Sequence, residues 1–303
     1  MKVDKLSHLS LPPGVPGKEE RKCTLGIDIG GSSIKLALRS DGRTVWTRRS
    51  RGYDRPGCAA LVEVLRDALG HNPTGIERIG LCVPGLLDRA NRCVTLSVNL
   101  PSLVGVSLDA LLADALSYEV PKVALLSDAE AAALDLYSTR RLSGRLLLLA
   151  LGTGVGAAVW DAAGPLHVDG ESPGHFGQMD VSIGDKPVIG PDGGGGSLEG
   201  YLGAAALRQR YGDRFMEVLS TLHVDEPPLL ALARAIRIGH AIYRPDHVCL
   251  AGGIGNAMGS RLNALQASIN LNLTRVAKVD WTLTTGNHGF HAAIGAAKAA
   301  EAG

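Results

Sequence analysis

The strongest constraint on the fold is a pattern that occurs twice: an apolar strand, a glycine-rich turn and a second strand. Residues 23–39 read CTLGIDIGGSSIKLALR, and residues 145–160 read RLLLLALGTGVGAAVW. Apolar runs interrupted by glycines and small polar residues are typical of strands joined by tight turns. The repetition predicts that each half of the chain uses the same architecture.

The rest of the chain alternates between strand and helix patterns. After a turn at Ser40-Asp41-Gly42 we expect a third strand at 43–49. We also expect helices at 57–69 and 107–117, strands at 77–83 and 122–127, and an alanine-rich helix after Asp128. Later we expect an irregular stretch at 161–197, helices over 198–243, strands at 247–253 and 278–285 with a helix after Asn256 between them, and a terminal helix from His288. Such alternation predicts mostly parallel sheets.

Two α/β domains with a cleft between them are the simplest arrangement of these segments. The first domain is expected to comprise residues 23–138 and 288–303, and the second residues 139–287. Residues 1–22 contain several prolines and glycines followed by a charged run. Because such a segment buries little apolar surface, we expect a flexible lead-in.

The overall charge limits the kinds of partner. The 303 residues include 31 basic and 30 acidic side chains, so no net field concentrates nucleic acid or anionic membrane around the protein. No stretch approaches the roughly 20 apolar residues that cross a bilayer, and no basic segment followed by an apolar block marks the N-terminus. We therefore expect a cytoplasmic protein that binds neither nucleic acid nor membranes.

The five cysteines indicate neither disulfides nor a metal site. Their number is odd, they are spread over the whole chain, and no two form a CxxC pair. We expect most of them to be reduced and buried as small apolar groups.

The turn of the first hairpin has the character of a phosphate site. A strand ends in an acid and turns at once through two glycines and two hydroxyls, which presents backbone N–H groups to an anion. The nearby carboxylate of Asp28 can hold Mg²⁺ through water. The alternative is a tight hairpin with an acid at its mouth. The candidate residues are Asp28, Gly30, Gly31, Ser32, Ser33 and Lys35.

Two further glycine turns offer similar chemistry. The second hairpin turn lets the backbone reach a phosphate, and Thr153 adds a hydroxyl donor. A third turn, at 251–256, follows a strand and opens a helix, which suits a nucleotide but also suits a close-packed strand-to-helix turn. Neither turn is a Walker loop or a complete dinucleotide fingerprint. The candidate residues are Gly152, Thr153, Gly154, Gly252, Gly253 and Gly255.

In this order, the three turns resemble the sugar kinase/actin/Hsp70 superfamily and, within it, the ROK (repressor, open reading frame, kinase) family of sugar kinases. The resemblance extends over nearly the whole chain from Cys23. It implies an α/β fold of two ribonuclease-H-like domains of the actin/hexokinase type, with the active site in the cleft between them. Its other motifs are Val83-Pro84-Gly85, Asn99-Leu100-Pro101, the segment from Ser127 to Ala133, and Ser197-Leu198-Glu199-Gly200-Tyr201.

The resemblance implies that Asp128 is the catalytic base of an ATP-dependent kinase. It would accept the proton of a sugar-like hydroxyl during phosphoryl transfer, a reaction that depends mainly on positioning and charge neutralisation. ATP and Mg²⁺ are the implied cofactors. The alternative for Asp128 is the N-cap of the alanine-rich helix, since Asp is a preferred cap, and the two interpretations are compatible.

The acceptor site resembles the family only in part. Asn99 and Glu199 match sugar-contacting positions, whereas Ser127, His175 and Gln178 replace the family's asparagine, glutamate and histidine. Glu199 could instead be a solvated acid in a first helical turn, and His175 a loop histidine with no ligand. No cysteine lies between Gln178 and Glu199, so the cysteine-rich zinc loop of the family is absent and we expect no structural zinc. Several changed hydroxyl contacts also argue against assuming glucose as acceptor.

Two alternatives from other classes remain. The family includes sugar-responsive repressors, but these need a DNA-binding helix-turn-helix ahead of the kinase-like body, and we expect the first 22 residues to be too few. A non-catalytic sugar-binding relative is favoured by the changed acceptor residues and opposed by the presence of Asp28, Thr153 and Asp128. The resemblance also implies a homodimer.

Overall fold

The computed structural model describes residues 22–70, 75–116, 122–168, 173–191 and 193–303. The predicted flexible lead-in, residues 1–22, lies outside the described residues except for Lys22. The five cysteines are free thiols; Cys82 and Cys249 are buried and the other three are partly buried.

The described strands are, in chain order, β1 (Cys23–Ile29), β2 (Ile34–Ser40), β3 (Arg43–Arg49), β4 (Ile76–Val83), β5 (Leu86–Asp88), β6 (Cys93–Leu96), β7 (Val123–Ser127), β8 (Leu146–Leu151), β9 (Val155–Asp161), β10 (Gly164–Pro165), β11 (His247–Ala251) and β12 (Thr282–Thr285). The described helices are α1 (Cys58–Leu69), α2 (Leu108–Ala115), α3 (Asp128–Thr139), α4 (Leu198–Leu202), α5 (Ala204–Tyr211), α6 (Phe215–Leu219), α7 (Pro227–Tyr243), α8 (Gly252–Ala257), α9 (Leu262–Asn270) and α10 (His291–Ala302).

Two five-stranded sheets in the described part of the chain repeat one topology. The first has the order β3-β2-β1-β4-β7 and the second the order β10-β9-β8-β11-β12. In both, the hairpin strands pair antiparallel and the next two strands pair parallel. The predicted use of one architecture twice is confirmed.

The first hairpin is continued by a second tight turn that the sequence also predicts. Asp41 and Gly42 connect β2 to β3 with φ angles of 51° and 72°. Two successive residues with positive φ match the twist of a two-residue hairpin loop, and Asp-Gly is a preferred pair there.

The strand β8 separates two apolar layers because its side chains alternate between the faces of its sheet. Leu146 and Leu148 pack with the alanines of α3, whereas Leu147 and Leu149 pack with a cluster that includes Leu232 of α7. Helix α3 therefore covers one face of the second sheet and α7 the other.

Helix α10 approaches the first sheet and α3 so closely that three glycines are required. A Cβ on Gly26 of β1 would lie 1.9 Å from the Ala293 carbonyl oxygen, and one on Gly80 of β4 would lie 1.8 Å from that of Ala296. A Cβ on Gly295 of α10 would lie 1.7 Å from the Ala131 oxygen of α3. The C-terminal helix is thus wedged between the first sheet and α3.

The structure differs from the predicted elements mainly at their ends. The strand predicted at 247–253 ends at Ala251, because Gly252, with φ of 81°, already starts α8. The helix predicted after Asn256 corresponds to α9, which begins at Leu262, and α8 was not predicted. The terminal helix begins at His291 rather than at His288, and the short pair β5 and β6 was not predicted. Within the described residues, no helix is long and apolar enough to cross a membrane.

We predict that Gly295→Ala lowers the free energy of unfolding by about 2 kcal/mol or more, because the added methyl would force α3 and α10 apart. Gly57→Ala is the matched control, since Gly57 is exposed and nothing lies within 4 Å of its added Cβ. Its expected loss is below about 1 kcal/mol. Urea unfolding followed by tryptophan fluorescence measures both, and equal losses would contradict the assigned contact.

Candidate active site

A cleft of about 620 Å³ receives residues from both sheets. Its wall contains the two hairpin turns, the β7–α3 junction, the start of α8 and the start of α4. All but one of the predicted site residues line it: Asp28, Gly30, Gly31, Ser32, Ser33, Lys35, Asn99, Ser127, Asp128, Gly152, Thr153, Gly154, His175, Gln178, Glu199, Gly252 and Gly253.

The exception is Gly255, whose place in the structure is in the packing of α8. A Cβ there would lie 2.7 Å from the Leu250 carbonyl carbon of β11. Glycine is needed at this position because helix and strand backbones touch. For Gly255, the alternative of a close-packed strand-to-helix turn describes its surroundings.

The two hairpin turns face each other across the cleft. A Cβ on Gly31 would lie 3.2 Å from the Thr153 side chain and 3.2 Å from Cβ of Asn99. The first turn is closed by a hydrogen bond from the Gly30 N–H to the Ser33 carbonyl, at 3.1 Å. Tyr53, which sequence reasoning missed, donates its hydroxyl to the Gly30 carbonyl at 2.6 Å. The turns therefore form the two sides of one backbone-lined space.

Asp28 is a nearly inaccessible carboxylate beside a lysine. Only 2% of the residue is exposed, and its Oδ2 accepts a hydrogen bond from Lys35 Nζ at 2.8 Å. The charge of Asp28 raises the pKa of Lys35 despite the burial of the ammonium group. Arg49, at the end of β3, also lines the cleft and was not predicted. The cleft thus carries two cations next to the first turn.

Asp128 occupies the first turn of α3, where the helix begins directly after β7. The N-cap is Ser127, whose Oγ accepts the Glu130 N–H. The alternative that Asp128 caps this helix is therefore wrong, and its carboxylate is available to the cleft. One oxygen, Oδ1, accepts the Ala129 N–H at 2.8 Å.

Burial, followed by the negative charge of Asp28, raises the pKa of Asp128 to about 6. The fully buried thiol of Cys82 lies next to both acids, and burial together with their charges raises its pKa. The cleft floor therefore holds two carboxylates in different electrostatic surroundings. Asp28 is paired with a cation, whereas the pKa of Asp128 is raised toward neutrality.

Asn99 and Glu199 meet at the second turn. A Cβ on Gly154 would lie 2.8 Å from Asn99 Nδ2 and 2.9 Å from Glu199 Oε2. Oε2 of Glu199 accepts the Val155 N–H at 2.9 Å, and the residue is 6% exposed. The alternative of a solvated helix acid is therefore wrong. The arrangement places an amide and a carboxylate side by side.

His175 and Gln178 lie at the two ends of a short 3₁₀ turn, Phe176–Gln178, on the wall formed by the second half of the chain. Both residues are exposed, and both face the cleft that contains Asp128. Their imidazole and amide groups are able to donate or accept hydrogen bonds from hydroxyls.

The acid Asp28 fits the predicted role of holding Mg²⁺ through water, since carboxylate oxygens are ligands that hard cations prefer. A second cluster, Asp135, His288 and His291, has its ligand atoms within 4.8 Å of one another. However, Asp135 already pairs with His291 Nδ1 at 2.6 Å and with Lys298 Nζ at 2.7 Å. The carboxylate is thus neutralised without a metal ion. The expected absence of structural zinc stays a prediction.

His288 and His291 also line the cleft, and no sequence motif pointed to them. Their rings stack with centroids 3.8 Å apart. Burial and the neighbouring His291 lower the pKa of His288. In the sequence, the spacing of three residues between these two histidines near the start of a helix predicts that they lie close together, but it indicates no function.

Comparisons with known proteins found a matching family and a related sequence. The model of the ROK family matches residues 24–302. The N-acetylmannosamine kinase of Vibrio cholerae serotype O1 is 25% identical over 258 residues, which cover 79% of this chain and 88% of the relative.

Solved structures show the same fold. A ROK family glucokinase from Streptomyces griseus, in complex with glucose and AMPPNP, has a TM-score of 0.73 at 18% identity and covers 93% of this chain and 100% of its own. A ROK family transcriptional regulator, a homolog of the E. coli MLC protein, has a TM-score of 0.68 at 19% identity, with 92% and 78% covered. The predicted two-domain α/β fold of the actin/hexokinase type is confirmed.

We predict opposite effects of pH for two substitutions in α3. Because the pKa of Asp128 is raised, its ionisation costs stability as pH rises from 3.8 through about 6. Asp128→Asn should therefore stabilise the protein by on the order of 1–2 kcal/mol at about pH 8, with a smaller gain at about pH 4.5.

Asp135→Asn is the matched control. Burial opposes ionisation of Asp135, but hydrogen bonds from His291 and Lys298 hold its pKa below 3.8. Its contribution is present above that value and lost only as pH falls through the lowered pKa, so this variant should be destabilised at both pH values. Urea unfolding measures both variants. A loss of stability for Asp128→Asn at about pH 8 would contradict the assigned electrostatics.

Proposed function

The chain belongs to the ROK family, whose model covers residues 24–302, and on that premise we propose that it is an ATP-dependent kinase. It would phosphorylate a hydroxyl of a sugar or sugar-like polyol. The observation that carries the proposal is the meeting of two glycine turns, Asp28 and Asp128 in one cleft. Phosphoryl transfer requires a phosphate cradle, charge neutralisation and a positioned carboxylate.

The donor is assigned to the side of the cleft with the two turns. Their backbone N–H groups, the hydroxyls of Ser32 and Thr153 and the ammonium of Lys35 suit the phosphates of ATP. Gly252 and Gly253, at the start of α8, suit the adenosine. Mg²⁺, held through water at Asp28, would neutralise charge on the phosphates.

Asp128 is assigned as the general base. With a pKa of about 6 it is mostly ionised near neutral pH, yet basic enough to take a proton. The acceptor oxygen would form the new bond to the γ-phosphorus as the bond to the β–γ bridging oxygen breaks. The hydroxyl proton would pass to Asp128 Oδ, and ADP would leave.

The acceptor is assigned to the part of the cleft that contains Asn99 and Glu199. Ser127, His175 and Gln178 would complete its hydrogen bonds. A hexose, an amino sugar or a cyclitol fits this set of polar groups. The curated relative named above acts on N-acetylmannosamine, so N-acetylated sugars belong among the first acceptors to test.

A non-catalytic sugar-binding protein or a sugar-responsive regulator is the second candidate. The departures at Ser127, His175 and Gln178 favour it, as does the likeness of the fold to a ROK family transcriptional regulator. The pairing of Asp28 with Lys35 and the raised pKa of Asp128 favour the kinase, because binding alone requires neither. A cytoplasmic location and a homodimer stay predictions.

We expect Asp128→Asn to lower kcat by at least about 10³-fold while ATP binding is retained, because the substitution removes the proton acceptor but keeps its shape. The assay follows ADP release with Mg²⁺-ATP and a panel of hexoses, N-acetylated and amino sugars and cyclitols. In the unmodified protein, kcat/KM should fall as pH drops below about 6, where Asp128 becomes protonated.

Asp109→Asn is the control, since Asp109 pairs with Arg92 outside the cleft and its loss should leave kcat unchanged. Full activity of Asp128→Asn would show that another group is the base. Binding of a sugar without ADP release across the panel would favour the non-catalytic candidate.

A further inference from the structure

Glu130 is a buried carboxylate that lies two residues after the proposed base. The residue is 2% exposed, although its side chain is charged and it does not line the cleft. A buried ionised carboxylate persists only when its oxygens are well paired. The contacts of Glu130 therefore indicate what it stabilises.

Three separate segments supply those contacts. Oε2 accepts the Ser127 N–H at 3.0 Å and Arg89 Nη2 at 2.7 Å, and Oε1 forms a short contact with Nε2 of His167. Despite the burial, these partners hold the pKa of Glu130 below its usual value. The carboxylate therefore remains charged and fully engaged at neutral pH.

Arg89 fixes the junction of β7 and α3 from a second direction. It lies in the turn after β5, and its Nη1 donates to the Leu125 carbonyl of β7 at 2.7 Å. The same guanidinium thus holds both the end of β7 and the first turn of α3. Since Asp128 is the first residue of that turn, the direction in which its side chain points depends on these contacts.

The partners of Glu130 also connect to the acceptor side of the cleft. Arg89 belongs to the hairpin of β5 and β6, which leads to Asn99 in the cleft wall. His167 follows β10 in the second sheet. One carboxylate therefore bridges the first half of the chain, the base-bearing helix and the second half.

We propose that Glu130 is a positioning residue that holds the proposed base in register with the acceptor side through Arg89 and His167. The inference rests on the proposed kinase function. A misplacement of about 1 Å at a reacting group can cost on the order of 10²-fold in rate. Loss of the Glu130 contacts should therefore affect turnover and acceptor binding, whereas ATP, bound at the opposite turns, should be little affected.

The test compares Glu130→Met with Glu130→Gln. The methionine keeps the volume but removes every polar contact, whereas the glutamine can still accept from Ser127 and Arg89 and donate to His167. We expect Glu130→Met to lower kcat by about 10- to 100-fold and to raise the KM of the acceptor, with the KM of ATP within about twofold. Glu130→Gln should recover most of the activity.

Arg92→Met is the matched control, because Arg92 lies in the same turn as Arg89 but pairs with Asp109 and donates to the Val123 carbonyl at the start of β7, away from the β7–α3 junction. It should behave as the unmodified protein. Unchanged kcat and acceptor KM in Glu130→Met, with only a lower unfolding midpoint, would overturn the inference and leave Glu130 a purely structural residue.

Hydrogen exchange separates this inference from the kinase proposal. Without any substrate, the amides of residues 127–131 should exchange faster in Glu130→Met than in Arg92→Met, since the Ser127 N–H loses its acceptor. If no acceptor supports turnover in the unmodified protein, the proposed function fails. Hydrogen exchange alone then tests whether Glu130 holds the β7–α3 junction. Faster exchange would then support the contacts, and equal exchange would overturn them.

Discussion

The close contact of α3 with α10 is the constraint on which the site depends. Both helices lie between the two sheets, and only the absence of a side chain at Gly295 lets their backbones touch. Gly26 and Gly80 bring α10 equally close to the first sheet. Because a protein interior is close-packed, a displacement of one helix also moves the groups packed against it. The position of Asp128, at the start of α3, is therefore set by packing many residues away from the chemistry.

Two neighbouring acids, Asp28 and Asp128, lie in different electrostatic surroundings. Asp28 accepts a hydrogen bond from Lys35 at 2.8 Å and is almost inaccessible. At Asp128, burial and the negative charge of Asp28 outweigh the opposing charge of Lys35 and raise the pKa to about 6. The same negative charge thus serves the proposed donor site and tunes the proposed base. The different roles proposed for these two identical side chains follow from their surroundings.

Much of the fold could be predicted from local sequence, because hairpin turns and helix periodicity are encoded within a few residues. Asp41-Gly42 and the glycine turns around Gly31 and Gly154 were found in this way. Contacts between distant segments were not, as the engagement of Glu130 with Arg89 and His167 shows. A single sequence carries the residue types for such contacts but not the distances between them. The cap at Ser127 was also missed, although it is local and Ser127 and Glu130 have the spacing of a capping box. The site residues were located by their match to family motifs, and their roles are proposals.

Because the strand order is repeated, the space between the two turns depends on the positions of both sheets. Each half contributes one turn from the same place in its sheet, and the two turns approach within about one van der Waals contact at Gly31 and Thr153. The proposed phosphate cradle is therefore divided between the two halves. If the turns hold phosphate as proposed, the affinity for a phosphate-bearing ligand depends on the relative position of the two halves, and a substitution that shifts one half against the other weakens that affinity.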